Sequence, residues 1–184
     1  MNRTVLVPLA EGFEEIEAVT VIDVLRRAGV TVVTASVGDE PVKGAHGLSV
    51  GTDMMLEACR HRTFDAIVLP GGMPGAVHLA QSPVLEAMVR EQARSGRLLA
   101  AICAAPAVAL QGWGLLKGRG KVAAYPTFRE RLDEENRSDE GLSVGTGLIT
   151  AAGPGLAMDF ALALAAALTG PERAEELARA MLVR

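Results

Sequence analysis

Cysteine is almost missing from this sequence: Cys59 and Cys103 are the two in 184 residues. Two thiols cannot build a disulfide framework, and they lack the paired spacing of a structural zinc site, so a reducing cytoplasmic setting is expected. Aromatic residues are scarce at 3%, and the single Trp113 and Tyr125 read as packing residues, not as platforms for stacked bases. Positive charge is in deficit: 18 Lys and Arg against 22 Asp and Glu leave a formal net charge of −4, with no basic stripe to neutralise a phosphate backbone. Nucleic acid is not expected as a binding partner. Long hydrophobic runs are missing too. Stretches 98–110 and 156–168 fall well short of the about 20 residues that cross a bilayer, and the second contains Asp159, so both read as buried core with no membrane role. Met1-Asn2-Arg3 leads into a short apolar stretch that soon meets Glu11, Glu14 and Glu15, which reads as an opening strand and not an export signal. Repeats and linkers are also lacking, so 1–184 is expected to be one domain.

What is present is a composition of 49% hydrophobic and 22% charged residues, enough for a sizeable core. Short β-branched runs alternate with helical stretches, the pattern of strands joined by crossover helices in a mainly parallel sheet. Strands are expected at 4–9, 31–36, 64–69 and 97–102, with a further short one at 122–125. A helix over 14–28 places Ile16, Val19, Ile22 and Leu25 on one face and closes at Gly29. The glycine-rich 38–52 segment reads as a small hairpin, and 142–151 as another. Ser82-Pro83 caps a helix running to about Ala93, Pro106 opens an alanine-rich one, and the charge-rich 129–141 segment reads as solvated surface. After the 156–168 helix, Gly170-Pro171 starts a last helix with Leu177, Met181 and Leu182 inward.

Cys103 is the strongest chemical candidate. It stands where a parallel strand meets a helix, and small neighbours Ala100, Ala101, Ala104 and Ala105 permit a tight turn that pushes the side chain outward. A helix amino terminus favours an anion, so a lowered thiol pKa is expected there. The competing reading is a small buried cysteine that packs as a hydrophobe. Amides of the Gly71-Gly72 loop and of Ala104 are candidates to hold an oxyanion formed at that sulfur. Glu14, Glu15 and Glu17 offset the dipole of the first helix, and one of them beside a thiolate would have a raised pKa and carry a proton. Cys59 and His61 lack companion ligands, so no metal is expected, and His46 and His78 read as surface residues.

Four ordered motifs then suggest a family. Leu9-Ala10-Glu11-Gly12-Phe13-Glu14-Glu15-Ile16-Glu17 with Asp23-Val24-Leu25-Arg26-Arg27-Ala28-Gly29, Val68-Leu69-Pro70-Gly71-Gly72, Ala100-Ala101-Ile102-Cys103-Ala104-Ala105-Pro106, and Gly153-Pro154-Gly155 before Asp159-Phe160-Ala161-Leu162 together resemble the ThiJ/PfpI superfamily. The resemblance lies in its Parkinsonism-associated deglycase branch, with YajL-like bacterial members. It implies a flavodoxin-like three-layer α/β sandwich that forms a homodimer, with Cys103 as the reactive, oxidisable cysteine. It also implies Glu17 as a protonated acid bonded to that sulfur, with Gly72 and Ala104 supplying amides. Glu14, Arg27, His46 and Tyr125 become candidate pocket residues. His46 stands where relatives carry an arginine, and Arg27 matches its neighbour. Tyr125 stands where the animal members have a histidine, so a cysteine–histidine dyad is absent there and an amidase or peptidase reading is weakened. Second-site cysteines of the animal members fall at Gly44 and Gly51 here.

The activity so implied is cofactor-free detoxification of dicarbonyls or their protein and nucleotide adducts, as a glutathione-independent glyoxalase or deglycase. The alternative is a redox-sensing chaperone that works through Cys103 oxidation and holds unfolded clients.

Overall fold

The computed structural model describes residues 3–183; Met1 and Asn2, where the opening reading begins, lie outside them. Strand β1 (Thr4–Leu9) shows why the sheet is central. Val5, Val7 and Leu9 enter one apolar cluster, while Leu6 and Ala10 enter the other, so alternate side chains are buried on both faces. Helix α1 (Glu15–Arg27) follows, then β2 (Thr31–Ser36), the hairpin strands β3 (Val42–Lys43) and β4 (Ser49–Val50), and β5 (Met54–Met55). Beyond a short 3₁₀ turn come β6 (Ala66–Leu69), α2 (Gly75–Ala80), α3 (Pro83–Arg94) and β7 (Leu98–Ile102). A π-helical segment (Pro106–Gln111), α4 (Pro126–Arg129), β8 (Leu142–Gly145), β9 (Leu148–Ala151), α5 (Ala157–Thr169) and α6 (Pro171–Ala180) complete the order.

The main sheet runs β5-β2-β1-β6-β7-β9-β8, parallel except for β8, which pairs antiparallel with β9. Helices α1, α5 and α6 cover one face, and α2, α3 and the π segment the other, giving the flavodoxin-like three-layer sandwich. All crossovers deliver their loops to the carboxyl ends of β1, β6 and β7, where α/β folds gather ligands. Helix α3 starts as its sequence dictates: Ser82 Oγ accepts from the Leu85 amide at 3.2 Å and Pro83 occupies the first turn. Both glycine-bearing hairpins form. No described helix is long and apolar enough to cross a membrane.

Three sequence expectations are corrected. Ile16 and Val19 do not face the core; they are exposed, and α1 instead buries Glu17, Ala18, Val21, Val24 and Leu25. The stripe is rotated because the first turn must bring Glu15 and Glu17 inward. Residues 122–125 form no strand: beyond a single bridge from Val122 to Arg137, this backbone bonds to the Thr150 side chain and to Cys103. Leu182 lies past the last helix and is exposed, whereas Leu177 is buried. The 129–141 segment is mostly solvated, but Asn136 is buried, donating from Nδ2 to the carbonyls of Leu116 and Gly120 at 3.0 and 2.8 Å. The short helix α2, hidden within a glycine- and proline-rich stretch, had no sequence signal of its own.

Candidate active site

Strand β7 ends at Ile102, and Cys103 turns into the left-handed region with φ 65°, a conformation a non-glycine residue seldom holds without support. The support is visible on both sides. The Cys103 amide donates to Ala151 O at 2.8 Å, and its carbonyl accepts from the Tyr125 amide at 2.9 Å. Ala104 and Ala105 are fully buried, so no large side chain hinders the sharp turn. The sulfur sits in a half-buried position, neither lost in the core nor open to solvent.

Glu17 is fully buried beside it. Its Oε2 accepts from the Gly71 amide at 2.8 Å, while Oε1 has no ordinary hydrogen-bond partner and the Cys103 side chain lies close enough to be coupled to the carboxyl. A β-carbon on Gly71 would stand 2.6 Å from Cys103 Cβ, 2.7 Å from Glu17 Oε2 and 2.9 Å from Ile102 O. The absence of that side chain is what lets acid, thiol and loop converge. Gly72 adopts φ +87°, with its α-carbon packed against the Gly12–Glu14 backbone. The Glu14 amide donates to Gly71 O at 3.0 Å and the Gly75 amide to Gly12 O at 3.2 Å, so the β1–α1 and β6–α2 loops interlock. Gly12 and Gly75 carry this junction and were not singled out from sequence; the recurring single glycines of the two loops were their signal.

Electrostatics bind the two groups into one unit. Burial, and behind it the charge of Glu14, raises the Glu17 carboxyl to about 7, against the pull of the Gly71 and Cys103 hydrogen bonds. Burial and then the Glu17 charge push the Cys103 thiol up to about 12, although the amides of Gly72 and Ala104 bond to the sulfur and oppose the rise. The lowered thiol pKa expected from a helix terminus is therefore overturned: the following segment is a short π turn, and burial of the sulfur, together with the carboxylate beside it, outweighs it. Two anions cannot coexist here, so the pair retains one proton, and a thiolate forms when that proton moves to Glu17.

Around this centre the remaining candidates divide. Tyr125 is on the rim, 42% exposed, bonded through its amide to Cys103 and with its ring over Gly153. His46 is largely exposed and meets the buried Glu15 and Glu14, Nδ1 lying 3.0 Å from Glu15 Oε2 and 3.5 Å from Glu14 Oε2. Burial pushes Glu15 up, but hydrogen bonds from the His46 side chain and from the His46 and Leu48 amides outweigh it and hold the carboxyl below its usual range. The Glu15 hydrogen bond in turn raises His46. These three residues have ligand-type atoms all within 4.8 Å of one another, a spacing a cation can bridge. Within one chain, Arg27 lies away from the Cys103 centre. It pairs with Asp23 at 2.6 Å near the far end of α1, roughly 15 Å along the helix from Glu17 at 1.5 Å per residue.

The sequence pattern of the DJ-1/PfpI family matches residues 3–167. The chain belongs to that family. It is 42% identical over its whole length to Protein DJ-1 homolog A of Arabidopsis thaliana, spanning 47% of that protein, so it covers about half the length of this plant relative. It is 37% identical to the glutathione-independent glyoxalase DJR-1.2 of Caenorhabditis elegans over 96% of this chain and 93% of that one. The solved structure of oxidized Toxoplasma gondii DJ-1 superposes with a TM-score of 0.95 at 44% identity, covering 98% of each chain. The fold expected from the family resemblance is thereby established.

Chemically, the family scaffold presents here a half-buried thiol, an acid able to carry its proton near neutral pH, and two amides directed at the sulfur. That set suits addition of sulfur to a carbonyl carbon.

Proposed function

We propose that the protein is a cysteine-dependent enzyme that detoxifies dicarbonyls without glutathione, acting on methylglyoxal or on the adducts it forms with amino groups. The observation that carries this reading is the convergence of Glu17, Gly71 and Cys103, with a single proton shared between acid and thiol. A nematode family member named as a glutathione-independent glyoxalase supports the substrate class.

In the reaction, the Cys103 proton passes to Glu17 and the thiolate adds to the aldehyde carbon. The alkoxide forms against the Gly72 and Ala104 amides and takes the proton back from Glu17, giving a hemithioacetal. Glu17, now a carboxylate, removes the proton from the former aldehyde carbon and returns one to the neighbouring carbon, while the hydroxyl proton of the first carbon passes to the former ketone oxygen. The product of that shift is a lactoyl thioester on Cys103. Water then cleaves it to lactate and restores the thiol, so one methylglyoxal and one water yield one lactic acid. No metal or organic cofactor enters these steps. For an amine adduct, the Cys103 sulfur displaces the amine at the adduct carbon, and the amine leaves with the proton that Glu17 took from the thiol, giving the same hemithioacetal.

A second copy of this chain is the proposed partner. Ile16, Val19 and Leu48 are exposed, 57%, 43% and 53% respectively, and Ile16 and Leu48 share one surface depression. Burial in a homodimer accounts for an α1 that turns apolar side chains outward. The setting proposed is the cytoplasm.

Lactate formation from methylglyoxal in metal-free buffer without glutathione, wild type beside Cys103→Ser, tests the proposal. Turnover present in the wild type and lost in the variant is the expected result. No turnover, with Cys103 still gaining peroxide oxygen by mass spectrometry, overturns it in favour of redox sensing with a chaperone role, the reading that the half-buried Cys103 thiol beside an acid also supports.

A further inference from the structure

Outside the Cys103 centre, the described residues bring one set of metal-type donors together: Glu14 and Glu15 at the entrance of α1, and His46 on the turn between β3 and β4. The three line a surface depression of about 280 Å³ together with Ile16 and Leu48. Cys103, Glu17, Gly71 and Gly72 do not line it, and no step of the reaction proposed at Cys103 uses these donors. Glu15 is fixed before any ion arrives. It is 9% exposed, and its Oε1 accepts from the His46 amide at 2.7 Å and the Leu48 amide at 3.3 Å, which leaves Oε2 to the His46 ring. Gly44 makes room for this carboxylate, since a β-carbon there would overlap it. The turn that carries His46 is pinned to the same helix entrance by the Ala45 amide, which donates to Phe13 O at 2.8 Å. Outer bonds of this kind hold a metal ligand in one orientation.

Glu14 is what points to a ligand. Its side chain belongs to a residue only 8% exposed, yet Oε1 accepts from the Ile16 amide alone, at a long 3.4 Å, and Oε2 accepts no hydrogen bond among the described residues. No Lys or Arg pairs with Glu14 or Glu15 among those residues either. A buried carboxylate is costly unless donors or a cation answer it. Glu14 Oε2 instead lies 3.5 Å from His46 Nδ1, which is itself 3.0 Å from Glu15 Oε2. A hydrogen bond between His46 and Glu15 would need no second carboxylate at that place. Ligands about 2.0–2.1 Å from a tetrahedral zinc stand about 3.3–3.4 Å apart, and the two separations from Nδ1 bracket that edge. Imidazole with carboxylates is a donor set for zinc and its first-row neighbours, whereas calcium takes oxygen ligands.

From this convergence we infer that Glu14, Glu15 and His46 form a site for a divalent transition-metal cation of the zinc type. Glu14 Oε2, Glu15 Oε2 and the neutral His46 Nδ1 are its ligands, and water from the open depression completes the shell. The formal charge of the two carboxylates then balances that of the ion, which a single imidazolium does not do. Ile16 and Leu48 form the apolar rim, the surface proposed above to meet a second copy, so the ion lies beside that contact. The inference stands apart from the reaction proposed at Cys103.

The test is calorimetric titration of the intact, chelator-treated protein with zinc chloride, carried out in the Cys103→Ser background so that zinc held by the reactive thiol does not contribute. One zinc per chain is expected. His46→Arg replaces a donor with a fixed cation on an exposed turn, where circular dichroism should report an unchanged fold. It should weaken zinc binding at least about tenfold, the lower bound for losing even an outer partner of a metal ligand. Glu14→Gln should weaken it by a similar factor, and calcium chloride should give no comparable heat. No saturable binding of zinc at millimolar concentration, unchanged affinity in a folded His46→Arg protein, or calcium bound as tightly as zinc would each overturn the site.

Discussion

Gly71 and Cys103 approach so closely that a methyl group on the first would overlap the β-carbon of the second, at 2.6 Å. The same methyl would press on Glu17 Oε2 and on the Ile102 carbonyl, at 2.7 and 2.9 Å. Two of the three obstacles are backbone or the root of a side chain, which cannot swing aside. Gly71→Ala is therefore expected to fold with a loss of about 1–3 kcal/mol, the usual range for overpacking, and to displace the acid from the thiol. Dicarbonyl turnover should fall by about 100-fold, as for other misplacements near 1 Å. Steady-state kinetics beside a denaturant titration would check this, and an alanine variant with normal turnover would refute the convergence as the basis of activity.

Glu17 makes stability depend on pH with a defined sign. Its carboxyl ionises at its ordinary value of 4.5 in an open chain and at about 7 in the fold, so between those values the folded state holds a proton that the unfolded state has released. The stability is complete below about pH 4.5, declines as pH rises, and levels off above about 7, with a total change on the order of 3 kcal/mol. Glu17→Gln carries no titrating proton and should lack this decline, becoming the more stable protein at pH 8 while losing proton transfer. Urea midpoints from pH 4.5 to 8 for both proteins give the comparison. Parallel curves would mean that Glu17 is ionised throughout and cannot act as the acid.

What could be read in the sequence follows from whether the physics was local. The Ser82-Pro83 start of α3 and the two hairpins are decided within a few residues, and they appear where expected. Cys103, Gly71 and Gly72 were legible because chain punctuation after a buried strand marks the ligand end of a parallel sheet. The rotated face of α1 was not, since helical spacing reports a stripe but not which stripe is inward when Glu17 is held by Gly71, 54 positions along the chain. Segment 122–125 looked like a strand by composition, yet its amides find Thr150 and Cys103 in place of a neighbouring strand. The direction of the Cys103 shift likewise depended on tertiary burial, and then on a carboxylate brought from another element. Arg27 came in through resemblance alone, and within one chain its helix carries it away from the site.

Thr150 illustrates a positioning residue with no sequence signature. Its buried Oγ1 accepts from the Ala123 amide at 2.9 Å, which steadies the segment whose Tyr125 amide holds the Cys103 carbonyl. Thr150→Val keeps the shape but leaves that buried N–H without a partner, at a cost of about 1–3 kcal/mol. Thermal unfolding should move down by several degrees, given about 2–4 °C per kcal/mol for a chain of this size. A lower kcat for methylglyoxal with little change in KM is expected, because the damage reaches the orientation of Cys103 and not the surface that admits substrate. Unchanged kcat would confine Thr150 to stability.

The outward face of α1 offers a test of assembly that leaves the catalytic groups alone. Ile16 and Val19 project from the helix that buries Glu17 on its other side, and Leu48 stands near Ile16 on the β3–β4 hairpin. If a second copy covers them, Ile16→Glu with Val19→Glu introduces two desolvated charges into that contact and should convert dimer to monomer in light scattering at micromolar concentration. The monomer should retain its circular dichroism, since neither side chain enters the core. A wild type that is already monomeric would leave the exposed stripe without a homodimer to cover it, and a charged variant that remains dimeric would place the interface on another face of the sandwich.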